Sequence, residues 1–440
     1  MSQNETRSPL PVSLFNKAVG GVVDYWHHLQ LFSRNVRLYL LASFLIGLTF
    51  AGYMLLLNLY LREQGAAESF IGNVLSAGAV GMTLTSIPAA FILRRIKLKK
   101  ILLISTVVYG LAIIVLTWLP VNNMLILISF VGGVAMTFYR VAAAPFFMRN
   151  SHHEERTYVF SLSFGVSLLA SMVGSVIFGS MVTSLEPLVG GMVAAYRWTF
   201  VVSVALGLSS LIPFALIRAA DPAHEDKKAV FSLSLLKSRM GFYLKLYLPY
   251  FVVGLGAGLI IPFLNLYFRD RFGQPPDKIG VFFTAVHATM FIGILAGPVL
   301  ARKLGMVRSL FWTQIISIPF MVLLAYTYSL ELAFFAFLIR GALMNLGQPI
   351  GTNFGMEMVD KEEQPFVNAL FMFGWNSSWM FSTIIGGRLI EAHGYTLPLM
   401  ITAGLYLLSS ILYYVFFRNS ERKTDNGFEV VMIDNGRYKI

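Results

Sequence analysis

The chain has 440 residues, of which 56% are apolar and only 13% are charged, and its mean hydropathy is +0.69. A soluble domain carries about 25% charged residues, so this composition excludes an ordinary soluble protein. The lack of cysteine excludes disulfide bonds and thiolate metal sites. The net charge of +12 raises the question of a nucleic-acid partner.

Apolar blocks of about 20 residues follow one another along the chain, each long enough to cross a hydrocarbon core as a helix. They predict an all-α membrane protein with twelve transmembrane helices, at residues 38–61, 69–92, 101–119, 123–148, 157–184, 198–217, 243–268, 279–301, 308–328, 332–356, 366–390 and 396–417. We divide the chain into a cytoplasmic segment 1–35, a six-helix bundle 36–217, a linker 218–242, a second six-helix bundle 243–418 and a tail 419–440. The first segment lacks the pattern of a cleaved signal peptide, and its residues 12–33 are suited to lie flat at the membrane interface. The polar tail is expected to be mobile.

The positions of the basic residues predict the orientation of the chain in the membrane. The side that carries both termini holds 26 Lys and Arg residues, and two more lie inside spans. The opposite side holds six: Arg62, Arg197, Arg269, Arg271, Lys278 and Arg388. Positive loops stay in the cytoplasm, so we expect a multi-pass protein of the cytoplasmic membrane with both termini cytoplasmic. The basic charge is then a topology signal, and we expect no nucleic-acid partner.

The second half of the chain repeats the first at a nearly constant spacing. Matching pairs at an offset of 207 or 208 residues run through five helices: Asn58-Leu-Tyr-Leu-Arg-Glu63 with Asn265-Leu-Tyr-Phe-Arg-Asp270, Ile71-Gly72 with Ile279-Gly280, Met82 with Met290, Arg94-Arg95 with Arg302-Lys303, Met172 with Met380, and Gly179 with Gly387. In the sixth helix the offset falls to 200, which we attribute to a longer outer link at 185–195. The repeat predicts two parallel six-helix halves related by a pseudo-two-fold axis along the membrane normal.

Twelve spans, two parallel six-helix repeats and a charged central link resemble the major facilitator superfamily over residues 36–418. The basic turns at 90–100 and 297–308 are similar to the turn that this family carries between its second and third helices, although neither has the family's aspartate. The resemblance implies a transporter whose gating loops contain Arg94, Arg95, Arg302 and Lys303. Glycines at 165, 174 and 179 resemble part of a motif of the family's antiporters.

Arg140 is the residue on which the functional prediction depends. It lies nine residues before Arg149, which is about 13–14 Å along a helix and close to the middle of the membrane. Its repeat partner is Gln348, so both halves place a long polar side chain at the same depth, where the axis is expected to bring the two together. A guanidinium there requires a counter-charge or an anion, and its planar fork suits a carboxylate or phosphate. The alternative is that neighbouring carbonyls and hydroxyls satisfy it and it only holds the bundle together.

Other polar residues in the spans extend this candidate site. Arg340 is placed in the outer third of its helix, within reach of the surface, with either a cavity role or a structural one. His287 lies near mid-membrane and is the candidate for proton coupling, with core packing as the alternative. The candidate binding set also includes Asn345, Trp375, Asn376 and Trp379, which otherwise serve helix packing.

Two repeated pairs near the outer helix ends are given a structural role. Asn58 and Asn265, with Tyr60 and Tyr267, are expected to act as caps or interfacial anchors.

Two absences in the sequence reduce the number of possible functions. All 22 Asp and Glu residues fall in links, tails or span ends, and no phosphate-binding Gly-x-x-x-x-Gly-Lys-Ser/Thr loop is present. We therefore predict a secondary transporter, not an enzyme, that works by alternating access and exports or exchanges a small organic anion or anionic amphipathic molecule. Broad-specificity drug efflux, lysolipid or lipid translocation, and a receptor or structural role are the alternatives. We expect membrane lipids and a small-molecule substrate as partners, a monomer, and neither a cofactor nor a metal site.

Overall fold

The computed structural model describes residues 32–93, 96–151, 155–218, 239–360, 363–424, 427–430, 433–434 and 437–438. Most of the N-terminal segment and of the linker, and both Arg94 and Arg95, lie outside the described residues. The interfacial placement predicted for residues 12–33 falls almost wholly outside the described residues, and the gating role predicted for Arg94 and Arg95 falls outside them.

All twelve predicted spans are helical, which confirms the all-α fold. The helices are α1 (Arg34–Glu63), α2 (Glu68–Ile92), α3 (Leu98–Trp118), α4 (Met124–Asn150), α5 (Arg156–Val189), α6 (Met192–Leu208), α7 (Leu211–Leu216), α8 (Met240–Ile260), α9 (Leu264–Phe272), α10 (Pro276–Leu304), α11 (Met306–Tyr326), α12 (Leu330–Glu357), α13 (Gln364–His393) and α14 (Thr396–Phe417). Helices α6 and α7 form the sixth span, and α8 and α9 form the seventh with a 3-10 turn at Ile261–Phe263 between them. By length and composition, ten segments of the described chain are able to cross a membrane, and α2 and α13 complete the twelve.

The predicted long link at 185–195 is wrong. Helix α5 continues to Val189 and α6 begins at Met192, so only two residues connect them. These are Gly190 and Gly191, with φ angles of +80° and +130°. Because glycine adopts positive φ without steric penalty, the chain reverses in two residues, and the extra residues of the first repeat lengthen helices instead.

Both ends of the bundle can be named from the chain path. Helix α1 begins and α14 ends on one side, which we call the termini side. There, Ser33 and Asn35 hydrogen-bond to the carbonyl oxygens of Asn150 and Arg218. The opposite side, where α1 ends at Glu63 and α9 ends at Phe272, is the far side.

The two halves, α1–α7 and α8–α14, meet through α2 against α13 and α5 against α10. Glycines allow the close approach: a Cβ on Gly72 would lie 2.5 Å from the carbonyl oxygen of Thr383, and one on Gly280 would lie 2.3 Å from that of Ser175. Such small-residue contacts are the usual basis of helix packing in membranes.

Hydrogen bonds beside these glycines are symmetric. Ser76 Oγ donates to the Met380 carbonyl at 2.5 Å, and Thr284 Oγ1 donates to the Met172 carbonyl at 2.8 Å. Ser76 is the repeat partner of Thr284, and Met172 is the repeat partner of Met380, both at an offset of 208 residues. The contact between the halves is therefore self-complementary, as in a two-fold dimer.

The apolar core is continuous on the far side and divided on the termini side. One cluster joins residues of both halves, from Leu48 and Phe200 to Val253 and Tyr406. On the termini side there are two clusters. The members of one all lie between Phe32 and Ile217, in the first half, and those of the other lie between Tyr243 and Phe417, in the second half. The halves are thus packed together towards the far side and packed separately towards the termini side.

The tail differs from the expected mobile segment. Strands β1 (Glu421–Thr424) and β2 (Gly427–Val430) form an antiparallel hairpin, and β3 (Ile433–Asp434) pairs with β4 (Arg437–Tyr438). The Glu421 carboxylate accepts hydrogen bonds from the backbone amides of Met306 at 2.5 Å and Val307 at 3.1 Å. These amides are among the unpaired donors at the start of α11, and the Glu421 oxygens supply the acceptors that they lack.

We predict that docking of this hairpin weakens as the pH rises. Burial raises the pKa of the Glu421 carboxyl, with a smaller contribution from Glu357, against the two amides and Arg308, which lower it. A raised pKa in the docked state means that docking is strongest below the undocked pKa, about 4.3, and is lost progressively as the pH passes through the raised value. Hydrogen-exchange protection factors of the Met306 and Val307 amides should fall from acidic to neutral buffer. Glu421→Gln, which keeps an acceptor, should remove this pH dependence, and an unchanged dependence in that variant would contradict the assignment.

Candidate functional site

Two adjoining cavities lie between the helices of the bundle. The N lobe, of about 370 Å³, is lined mainly by α1–α5, and the C lobe, of about 310 Å³, is lined by α8 and α10–α14. Five residues border both lobes and form a shared wall: Ile261, Phe283, His287, Trp375 and Trp379. Ile261 reaches this wall because Pro262 interrupts the seventh span with a 3-10 turn.

Arg140 faces the N lobe from α4. Its side chain is exposed to the cavity, and its guanidinium carbon lies 5.0 Å from the centre of the Phe50 ring. Among the described residues it has no hydrogen-bond or ion-pair partner, so neighbouring carbonyls do not satisfy it. A cation–π contact of this kind orients a guanidinium but does not neutralise its charge.

Gln348 lies in the other lobe. It is exposed to the C lobe from α12, within reach of the Tyr250 hydroxyl. The expectation that the pseudo-two-fold axis brings Arg140 and Gln348 together is therefore not met. The axis places equivalent residues on opposite sides of the shared wall, one in each lobe.

Arg340 does not reach the membrane surface, contrary to the sequence-based expectation. Its side chain is only 5% exposed and lines the C lobe. Nη1 lies 3.5 Å from the Tyr406 hydroxyl, at the limit of a hydrogen bond, and the buried Nε has no partner. Helices α10 and α11 pack on α12, and Tyr406 of α14 faces this turn, so the guanidinium turns inward instead of extending outward.

The remaining predicted residues are distributed over both lobes. The rings of Trp375 and Trp379 lie 5.7 Å apart at an angle of 37° and form the aromatic part of the shared wall. His287, half-buried, lies beside them. Asn376 lines the N lobe, and Asn345 lines the C lobe, where its amide donates to the Gly341 carbonyl of its own helix at 2.9 Å.

The lobes are electropositive. Arg140, Arg340 and His287 line them, and no Asp or Glu does so in the part of the chain that the structure describes. With low-dielectric walls around them, the two guanidinium charges of Arg140 and Arg340 act strongly on any ion that enters.

Sequence reasoning missed Tyr406 and Gln314, which both line the C lobe. Gln314 Oε1 accepts a hydrogen bond from Ser410 Oγ at 2.8 Å. A signal for Gln314 was present, since a glutamine in an apolar span is costly unless it faces a cavity. Tyr406 carried no such signal, because a tyrosine in a span is common.

The family model described as Major Facilitator Superfamily matches residues 39–245 and 246–431. The chain belongs to the major facilitator superfamily. The bacterial homologue of the lysosomal transporter Spinster, in an inward-facing and occupied conformation, is similar to it with 12% identity and a TM-score of 0.73, covering 87% of this chain and 96% of that one.

Other solved transporters share the fold. The nucleoside transporter NupG is 11% identical with a TM-score of 0.73, over 88% of this chain and 100% of that one. A D-xylose-proton symporter is 12% identical with a TM-score of 0.70, over 87% of this chain and 97% of that one. No curated protein matches the chain.

A separate cluster of polar residues joins the two halves at the far side, and we call it the far-side contact: Asn58, Arg62, Glu63, Asn265, Arg269 and Asp270. Arg269 Nη2 lies 2.5 Å from Glu63 of the other half. Arg62 Nε lies 4.0 Å from Asp270 of the other half, and Arg62 Nη2 lies closer, at 3.2 Å, to Glu68 of its own half. The asparagines also contact the other half: Asn58 donates to the Pro262 carbonyl at 2.5 Å, and Asn265 donates to the Leu55 carbonyl at 2.7 Å.

This geometry corrects the interfacial role expected for the asparagines. Both are buried, and Asn58 Nδ2 lies 3.4 Å from Asn265 Oδ1. Tyr60 and Tyr267 are also buried, and each hydroxyl donates to a carbonyl within its own half, of Thr117 and of Leu324.

The predicted gating residues Arg302 and Lys303 lie in the last turn of α10 on the termini side. Both are exposed, and neither lines a lobe.

We predict that removing the acids of the far-side contact opens that side. Ion pairs of this exposure contribute about 0.2–1 kcal/mol each, so Glu63→Gln combined with Asp270→Asn should shift the ratio of far-side-open to far-side-closed molecules several-fold. Spin labels at Asn123→Cys and Lys278→Cys, in a chain without native cysteine, report the distance between the halves. Long distances should gain population in the double variant.

A matched control is Glu331→Gln, because this far-side acid bonds to Ser329 within its own half. It should leave the distance distribution unchanged. Equal distributions in the double variant and the wild type would show that these pairs do not hold the far side closed.

Proposed function

We propose that this protein is a secondary transporter that works by alternating access and exports or exchanges a small organic anion or an anionic amphipathic molecule. Membership of the superfamily supports transport in general, and the lobes between the halves are the place where a substrate would bind. We further propose that both termini are cytoplasmic in the cell membrane, because 26 of the 34 Lys and Arg residues lie on the termini side.

The environment of Arg140 is the observation that favours an anionic substrate. It is exposed to a cavity lined by no described acid, and among the described residues it has no hydrogen-bond or ion-pair partner. An unpaired guanidinium in a membrane interior is costly, and a carboxylate would satisfy it with two parallel hydrogen bonds. A cationic substrate would meet repulsion from Arg140 and Arg340 instead.

The packing of the halves supports the alternating-access part of the proposal. The far side is joined by a common core and by the far-side contact, whereas the termini side has two separate cores. With cytoplasmic termini, this arrangement corresponds to a state in which the lobes open towards the cytoplasm. A substrate for export would enter in this state.

Broad-specificity drug efflux is the second candidate, and the tryptophan pair favours it. Trp375 and Trp379 offer an aromatic surface to both lobes, and apolar residues form most of the surrounding wall. Flat apolar compounds would stack there without help from Arg140.

We predict that Arg140→Gln removes anion binding. A charge-assisted hydrogen bond contributes about 1.5–3 kcal/mol, so affinity should fall at least about tenfold. Binding is measured as thermal stabilisation of the purified protein by alkyl carboxylates, anionic lipids and cationic dyes, because a ligand of the folded state raises its stability. Arg149→Gln, an exposed arginine on the same helix outside the lobes, should bind as the wild type does. Stabilisation by cationic dyes alone, unchanged in Arg140→Gln, would favour drug efflux and contradict anion transport.

We also predict that His287 couples transport to protons. It is the histidine on the shared wall, and histidine is the side chain that changes charge near neutral pH. In proteoliposomes, a pH gradient should accelerate uptake of the stabilising anion by the wild type. His287→Ala should transport at a rate that does not respond to the gradient. A gradient response equal to that of the wild type would remove His287 from the mechanism.

A further inference from the structure

We propose that the C lobe is a second anion subsite, centred on Arg340, and that the substrate is therefore an elongated molecule with two anionic groups, such as a straight-chain dicarboxylate. This inference rests on the proposed function, since Arg140 in the N lobe would hold the first group. It adds the chemical class of the substrate and a role for the second lobe.

Arg340 is the observation that indicates the second subsite. The residue is only 5% exposed, yet its Nε has no hydrogen-bond partner among the described residues. The Tyr406 hydroxyl lies 3.5 Å from Nη1. No described acidic residue forms an ion pair with it. A buried guanidinium is normally paired with an anion and fully hydrogen-bonded, so this one lacks the partner that a bound carboxylate would supply.

Two polar side chains of the C lobe offer donors for that carboxylate, Tyr406 and Gln314. Gln348 lies further along α12, and the Asn345 amide already donates to the Gly341 carbonyl. Because the Gln314 oxygen accepts from Ser410 Oγ, its amide nitrogen is the group left to donate. Tyrosine hydroxyls and amide nitrogens are donors that a carboxylate accepts, whereas a metal cation would find few ligands here.

The relation between the lobes defines the shape of the substrate. Arg340 lies eight residues before Gln348 on α12, about 12 Å along the helix axis, and Gln348 occupies the depth of Arg140 by the repeat. The two guanidinium groups are therefore at different depths and on opposite sides of the shared wall. A molecule that reaches both has an apolar middle, which would lie against Trp375 and Trp379.

The probes are suberate, a straight-chain dicarboxylate, and octanoate, the monocarboxylate of the same length. Binding to the purified full-length protein in nanodiscs is measured by tryptophan fluorescence and by calorimetry. The wild type should bind suberate at least about tenfold more tightly than octanoate, because a second charged hydrogen bond is gained. Arg340→Gln should reduce the suberate affinity to that of octanoate and leave octanoate binding unchanged. Retained octanoate binding also shows that this variant is folded.

Two comparisons separate this inference from the proposed function. Arg140→Gln should weaken both probes, and a failure to do so contradicts anion recognition in the N lobe. If Arg140→Gln weakens both probes while Arg340→Gln changes neither, the proposed function stands and the second subsite is wrong. Arg388→Gln, an exposed arginine in the same half and outside both lobes, is the matched control and should bind as the wild type does.

A purely structural role for Arg340 would give a different pattern of binding in the variants. If Arg340→Gln loses octanoate binding as well, Arg340→Lys keeps the charge and becomes the deciding variant. It should bind octanoate normally and prefer suberate to it. Loss of octanoate binding in Arg340→Lys as well would show that the residue only supports the helix packing, and would overturn the second subsite.

Discussion

The contact between the two repeats determines the arrangement of this transporter. The contacts between the halves come in pairs that the two-fold axis relates: when a residue of one half contacts a residue of the other, the repeat partners of these two residues also contact each other. The bond from Ser76 to Met380 has its counterpart from Thr284 to Met172, and the arginines of the far-side contact pair with acids in the same exchanged way. A contact of this kind constrains both copies at once, because a change in either repeat disturbs one of two related bonds.

Charge without a counter-charge is the second constraint. Arg140 and Arg340 line the lobes, because a charged side chain that faced the lipid would be very costly. The described lining of the lobes contains no carboxylate to pair with them. If the lobes bind an anion as proposed, the unsatisfied guanidinium groups make the empty site less favourable than the occupied one. An anion that binds both halves across the shared wall would offset that cost. The separation of the two arginines then makes selectivity depend on the length of the substrate as well as on its charge.

The sequence predicted the twelve spans, the two parallel repeats and the family, because apolar blocks and a fixed offset are one-dimensional signals. It also singled out Arg140, Arg340 and His287, since polar residues in apolar spans are conspicuous, and the structure places all three on the walls of the lobes; their part in binding stays a prediction. It failed for partners in space: Asn58 and Asn265 were assigned to the membrane interface, although they join the halves. Arg140 and Gln348 share a depth but lie in different lobes, because equal depth does not determine the direction in which each side chain faces. The Glu421 cap on α11 joins residues 115 positions apart, and no local pattern could reveal it.

The most direct test of the account is the side from which the N lobe can be reached. Ser171 lines this lobe, and the chain has no native cysteine, so Ser171→Cys provides a single thiol for impermeant reagents applied to either face of oriented proteoliposomes. The account predicts fast modification from the termini side alone when the far-side contact is intact, and a gain of modification from the far side when Glu63 and Asp270 are both replaced by amides. Equal reaction from both sides of the intact protein, or from neither side in both forms, would contradict alternating access through these lobes.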